Sequence, residues 1–203
     1  MTSETAPDAT PLTGGQPPAE PDRKDWTWVL DRACPECGYD ARAVRPVEVK
    51  NRVYANASAW RGVLAAPHPR LRPSPRVWSP LEYACHVRDV HRVFAQRVAR
   101  MLADHDPVFD DWDQDEAAVA GDYASARATE VAAELVEEAA RVTELYGSIE
   151  DAQWDRPGRR SNGSVFTLAS LARYHLHDVE HHLVDVSGRA DGPEPADAGR
   201  ATA

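Results

Sequence analysis

The sequence predicts an all-α fold, a four-helix bundle with a short N-terminal extension. Four long stretches repeat their apolar side chains at helical steps, segments bearing proline or glycine separate them, and no convincing two-residue alternation marks a strand. The 203 residues suit one domain with tails. Residues 1–22 hold five prolines and little that could enter a core, and residues 188–203 read GRADGPEPADAGRATA. Both are expected to be disordered tails. The bundle is expected over residues 23–187, with residues 23–46 as a segment carrying Cys34 and Cys37.

The first helix is expected from about Val47 to Ala65, with Val49, Val53, Trp60 and Leu64 on its core face. Five prolines between Pro67 and Pro80 force an irregular connection. The second helix has the clearest start. Ser79 stands at the N-cap, Pro80 at the first helical position and Glu82 three residues after the cap, a capping box. Tyr83, Val87, Val90, Phe94, Val98 and Met101 then share one face to about Ala103. Residues 104–116 carry seven carboxylates and no Lys or Arg, which predicts an open, solvated loop; no EF-hand spacing is present. A third helix is expected from about Ser125 to Ser148, and a fourth from about Thr167 to Val186, ending before Gly188.

Composition excludes several classes of function. The formal net charge of −10 argues against nucleic-acid or anionic-membrane partners. No apolar run is long enough to cross a membrane, and no secretory signal is visible at the N-terminus. Three cysteines do not make a disulfide framework, so a cytoplasmic location is expected.

Chemistry concentrates in the eight histidines, four of which lie between Tyr174 and His182. His177 and His181 are four apart, so their side chains stack on one helical face at a spacing that can hold one divalent metal. His86 on the second helix supplies a natural third ligand. Three protein ligands with an open position describe a catalytic metal site. The helical wheel leaves an alternative open, because His175 and His182 lie nearer the apolar stripe of Leu168, Ala172, Val179, Leu183 and Val186. A solvated histidine face is the plain alternative to any metal.

The segments WSPLEYACHVRDVHRVF (78–94), DWDQDEAAVAGDY (111–123) and WDRPGRRSNGSVFTLASLARYHLHDVEHH (154–182) resemble the DinB-like superfamily, which also contains mycothiol-dependent maleylpyruvate isomerases. The resemblance implies an up-down-down-up bundle. It implies a metal, most often zinc with nickel as an alternative, at His86, His177 and His181. Where the family often has Arg after the last His, this chain has His182. The implied chemistry is activation of a low-molecular-weight thiol such as mycothiol, for S-transfer to a small electrophile or its isomerisation. A coordinated thiol is deprotonated outright, which makes it a nucleophile at neutral pH. A metal-dependent hydrolase and a non-catalytic metal- or ligand-binding stress protein are the alternatives. The expected partner is a small-molecule substrate, and a homodimer is compatible with the sequence.

Other residues have candidate roles. Asp178, Asp89, Glu180 and His182 are candidates to orient ligand histidines, with Glu180 also a candidate base. Arg159 and Arg160, in a basic loop with Arg156, are candidates to recognise a carboxylate. Cys34 and Cys37 form half of a zinc knuckle, which would need a borrowed His or Asp, and are alternatively a redox pair or small core residues. Cys85 is expected to be a buried small residue, and Trp26 and Trp28 are expected to anchor the N-terminal segment.

Overall fold

A computed structural model describes residue 19 and residues 24–187. The expected tails lie outside the described residues, apart from residue 19. Four long helices build the bundle: α1 (Val49–Ala65), α2 (Pro80–Ala103), α4 (Ala128–Ser148) and α5 (Leu168–Ser187). A shorter helix, α3 (Gln114–Ala120), lies between α2 and α4. No described helix is long and apolar enough to cross a membrane.

Side-chain pairs fix the helix directions. Arg88 bonds Glu134 and Arg92 bonds Glu138, so α2 and α4 run parallel. His91 meets His175 and His86 meets Asp178, so α2 and α5 run antiparallel. Parallel neighbours need a long crossing connection, which residues 104–127 supply. α4 and α5 each lie between α1 and α2, which face each other across the diagonal of an up-down-down-up bundle.

The capping box at the start of α2 is formed as the sequence predicts. Ser79 Oγ accepts from the Glu82 N–H (3.3 Å), and the Ser79 N–H donates to Glu82 Oε2 (2.8 Å). Asn56 ties α1 to α5: its side-chain amide donates to the Val179 carbonyl (2.9 Å) and accepts from the Trp60 indole (3.2 Å).

Two regions differ from the sequence expectation. The acidic connection is structured rather than open. Phe109 is buried, and Asp113 caps α3 by accepting from the N–H groups of Asp115 and Glu116 (2.9 Å each). Asp115 and Glu116 occupy the first turn of α3, where the helix dipole favours negative charge. Arg159 pairs with Asp106, and Arg160 with Asp111 (3.5 Å). The repulsion read from the sequence is thus offset by cations about 50 residues away along the chain. A small sheet also forms: β1 (Val108–Phe109) runs parallel to β2 (Pro157–Arg160), which pairs antiparallel with β3 (Val165–Thr167). Strands of two to four residues are too short to show alternation.

The N-terminal segment wraps α5. Its short 3-10 turns cover residues Trp26–Leu30, Ala41–Ala43 and Pro46–Glu48. Tyr39 donates to the Arg173 carbonyl (2.8 Å), and the Arg173 side chain donates to the Val44 carbonyl (2.9 Å). Much of α5 is therefore buried on two sides, by the bundle and by this segment.

Of the two histidines that the wheel places nearer the apolar stripe, His175 is a core residue and His182 is not. Tyr146 Oη lies 2.9 Å from His175 Nδ1, and His175 Nε2 lies 3.0 Å from His91 Nδ1. Burial pushes Tyr146 up and His175 down to about 3, so the phenol keeps its proton and donates to a neutral ring. Tyr146→Phe strands the buried Nδ1 and is expected to cost about 1–3 kcal/mol in urea unfolding. A loss near zero would show that His175 finds another donor.

Candidate metal centre

Two histidine-bearing pairs interleave on α5, His177 with His181 and Asp178 with His182. Each pair spans four residues, so its members share a face, while the two pairs differ by about 100° around the helix. One pair turns toward the N-terminal segment and the other toward α2.

Toward α2, His86, Asp178 and His182 bring one ligand atom each within 4.8 Å of one another. His86 Nε2 is 3.4 Å and His182 Nε2 3.6 Å from Asp178 Oδ1. His182 Nδ1 bonds Asp185 Oδ2 (3.0 Å), which fixes the ring and turns Nε2 toward His86. The His86 and His182 rings meet edge to face at 4.7 Å. His86 is fully buried, stacked on Trp112 at 5.4 Å and flanked by Trp78 at 5.3 Å. Burial holds His86 below its ordinary value. Burial also works to raise the Asp178 carboxyl, but the surrounding imidazoles, His86 first and then His182 and His175, outweigh it and hold the group below the usual carboxylate range. Neutral imidazoles and an ionised carboxylate are the forms that bind a metal.

These residues fit a divalent cation. His86 Nε2 and Asp178 Oδ1 are buried, face each other, and have no hydrogen-bond partner. Two imidazoles and a carboxylate are an ordinary donor set for zinc and similar ions, and three protein ligands leave a further position open.

Toward the N-terminal segment, Cys34, Cys37, His177 and His181 likewise bring their ligand atoms within 4.8 Å of one another. The three cysteines are free thiols. Burial pushes His177 down to about 4 and Cys37 up to about 12.

The structure therefore divides the set His86, His177 and His181. Among the described residues no group joins all three. The reason is helical rotation: the α5 face that looks at His86 carries positions 178 and 182, one residue beyond the pair read from the sequence.

Residues 52–185 match the family model of the DinB superfamily. The chain belongs to the DinB superfamily. Its bundle is also similar to that of YfiT from Bacillus subtilis, a probable metal-dependent hydrolase with an unusual four-helix bundle topology. The TM-score is 0.60 at 21% identity, covering 74% of this chain and 87% of YfiT. No curated protein matches the chain in sequence.

Within this DinB bundle the other candidate residues separate clearly. Glu180 belongs to neither cluster and holds Arg52 through two hydrogen bonds (2.9 and 2.6 Å). Asp89 lies in a network with Arg88, Arg92 and Tyr123. Arg159 faces solvent and Asp106, whereas Arg160, its neighbour on β2, is turned inward. Cys85 is buried as expected, and Trp26 packs on His177 and His181 at 5.6 and 5.1 Å. Asp185, Trp78 and Trp112 are site residues that sequence reasoning missed. The i,i+4 repeat of Asp178 and His182 was the available signal for the α2-facing set.

Two clefts adjoin at Asp178. One, of about 400 Å³, is lined by Trp26, Trp78, Tyr83, Asp178 and His182. The other, of about 760 Å³, is lined by Arg97, Trp112, Arg160, Tyr174 and Asp178. Arg97 is buried and donates to the Asp110 carbonyl (3.1 Å). Burial, with Arg160 beside it, pushes Arg97 down to about 10. Arg160 Nε is buried without a hydrogen-bond partner.

Proposed function

We propose that this DinB-superfamily protein is a metal-dependent enzyme that joins a small nucleophile to a small, anionic electrophile. The observation that carries the reading is the convergence of His86 Nε2, Asp178 Oδ1 and His182 Nε2 where two clefts meet. A divalent cation held by these three residues would supply the Lewis acidity that makes a thiol or a water nucleophilic near neutral pH.

The chain's own residues do the rest. Asp185 accepts from His182 Nδ1 and holds that ring in the tautomer a ligand needs. Trp78 and Trp112 exclude water from His86. The cleft on the far side of Asp178 is lined by Asp25, Asp111, Asp113, Asp115 and Glu116 as well as by Lys24, Arg97 and Arg160. The anion contact offered is therefore a local one, at the guanidinium groups of Arg97 and Arg160. Room on both sides of Asp178 favours a reaction of two molecules, which supports transfer of a low-molecular-weight thiol. Hydrolysis is the second reading, favoured by the description of YfiT.

The test is turnover of carboxylate-bearing electrophiles by zinc-loaded protein, with and without added thiol, beside His86→Ala. Turnover that needs thiol and is lost in the variant supports transfer. Turnover without thiol supports hydrolysis. Metal bound at this site with no turnover on any electrophile overturns the enzymatic reading and leaves a binding protein.

Arg97→Met is expected to raise KM for an anionic electrophile about 10- to 100-fold with little change in kcat. This is the loss of one charge-assisted hydrogen bond made equally in ground and transition states. An unchanged KM would remove Arg97 from substrate binding.

A further inference from the structure

We infer that Cys34, Cys37, His177 and His181 form a second metal site, a closed Cys2His2 zinc centre that fastens the N-terminal segment to α5. It is separate from the proposed catalytic set and shares none of its ligands.

Local backbone structure brings the two thiols together. The Cys34 carbonyl accepts from the Gly38 N–H (2.8 Å), and the Cys34 N–H donates to the Tyr39 carbonyl (2.8 Å). Gly38 turns the chain at φ +77°, a left-handed conformation that glycine adopts at little cost. The result is a closed loop with both sulfur atoms facing α5. On α5, His177 and His181 present their rings at 5.1 Å from each other, on the face this loop covers.

The spacing suits zinc. A tetrahedral ion with bonds of about 2.0–2.3 Å holds its ligand atoms about 3.3–3.8 Å apart. Cys34 Sγ and His181 Nδ1 are 3.7 Å apart, and all four donor atoms fall within 4.8 Å of one another. His177 Nε2 is buried without a hydrogen-bond partner. The outer groups are in position too. His181 presents Nδ1 to Cys34 and Nε2 to Glu36 (3.5 Å) and Asp185 (3.8 Å), carboxylates that orient a ligating imidazole. Two thiols with two imidazoles select zinc over magnesium or calcium.

The ligand count decides the role. Four protein donors close a tetrahedral shell, so this centre is structural, whereas the His86 set keeps a position open. Its mechanical effect reaches the cleft. Lys24, Trp26 and Glu36 belong to the fastened segment and line the same cleft as His182. Asp185 Oδ2 lies near both His181 Nε2 (3.8 Å) and His182 Nδ1 (3.0 Å). Binding releases the thiol protons, oxidises nothing and needs no co-reactant.

Cobalt(II) substitution of the full chain tests this. Thiolate-to-cobalt charge transfer and tetrahedral d–d bands are expected in the wild type and in His86→Ala, and are expected to vanish in Cys37→Ser. Metal analysis after zinc loading is expected to show about one equivalent fewer in Cys37→Ser than in the wild type, with the equivalent at the His86 set retained. Removal of the thiolate-bound metal is expected to speed amide exchange across residues 24–48. Should Cys37→Ser fail to fold, the wild-type spectrum still decides. A cobalt-loaded wild type without thiolate bands overturns the proposal. So does a two-dalton mass deficit that persists after treatment with reductant and maps to the peptide holding Cys34 and Cys37, which would reveal a disulfide instead. The His86 variant separates the two sites: it is expected to lose only the metal at the His86 set and to keep the thiolate bands, whereas a wild type that shows thiolate bands but holds no metal at the His86 set overturns only the catalytic reading.

Discussion

His182→Ala is expected to abolish metal binding at the α2-facing site and to lower turnover by about a thousandfold, the equivalent of about 4 kcal/mol of transition-state stabilisation. His181→Ala, one residue away, is expected to keep that metal and to lose the thiolate-bound one instead. The contrast follows from α5 geometry. Successive side chains diverge by about 100°, so His182 faces His86 while His181 faces Cys34. Asp178→Asn keeps the shape of the carboxylate and removes its charge, so it is expected to weaken the α2-facing metal strongly while leaving the fold intact. Equilibrium metal titration with far-ultraviolet circular dichroism separates ligand loss from unfolding. If His181→Ala loses the metal at His86 and His182→Ala keeps it, the ligand set read from the sequence is the working one.

How much of this was legible in the sequence depends on the range of the interaction involved. The start of α2 was legible because a capping box is local: Ser79, Pro80 and Glu82 specify it within four residues. The other long helices were legible from periodicity, with α4 beginning three residues later than expected, at Ala128. The small sheet was not legible, since β1 pairs with a strand about 50 residues away and neither is long enough to alternate. The histidine cluster was visible, but its division was not. The C-x-x-C turn lacked partners in its own neighbourhood, and the sequence could not show that residues 24–48 fold over α5. With that cover in place, the 177/181 face is enclosed by the N-terminal segment, and the 178/182 face is left to His86. A wheel built on a two-sided bundle has no place for a third layer. That is why the wheel puts His175 and His182 nearer the apolar stripe than His177 and His181, although His177 and His181 are both buried.

Glu82→Ala is expected to destabilise the fold by about 3–5 kcal/mol, the cost of stranding one charge of a buried pair. The Arg72 and Glu82 side chains are only 8% and 4% exposed. Arg72 Nε donates to Glu82 Oε2 (2.8 Å) and Arg72 Nη2 to Glu82 Oε1. The same carboxylate accepts from the Ser79 hydroxyl and N–H (2.8 Å each), so it fastens the irregular 66–79 connection to the first turn of α2. Truncation removes the cap and leaves the Arg72 guanidinium buried without its carboxylate. The pair also gives stability a pH dependence of known sign. Burial works to raise the Glu82 carboxyl, but donation from Arg72 and Ser79 outweighs it and holds the group below its ordinary value. A depressed folded value means that the contribution is fully present above the unfolded value of about 4.3 and is lost as pH falls through the folded value. Urea unfolding between pH 7 and pH 3 is therefore expected to show a steeper acid loss in the wild type than in Glu82→Gln. Equal slopes would show that Glu82 titrates alike in the folded and unfolded chains, and that its contribution is packing and capping rather than charge. Because Glu82 lies one turn before His86, the same substitution also reads on the metal site. A helix frayed at Ser79 loosens Trp78 and His86, so the loss of stability is expected to come with weaker metal binding at the α2-facing set while the thiolate-bound centre on α5 is kept.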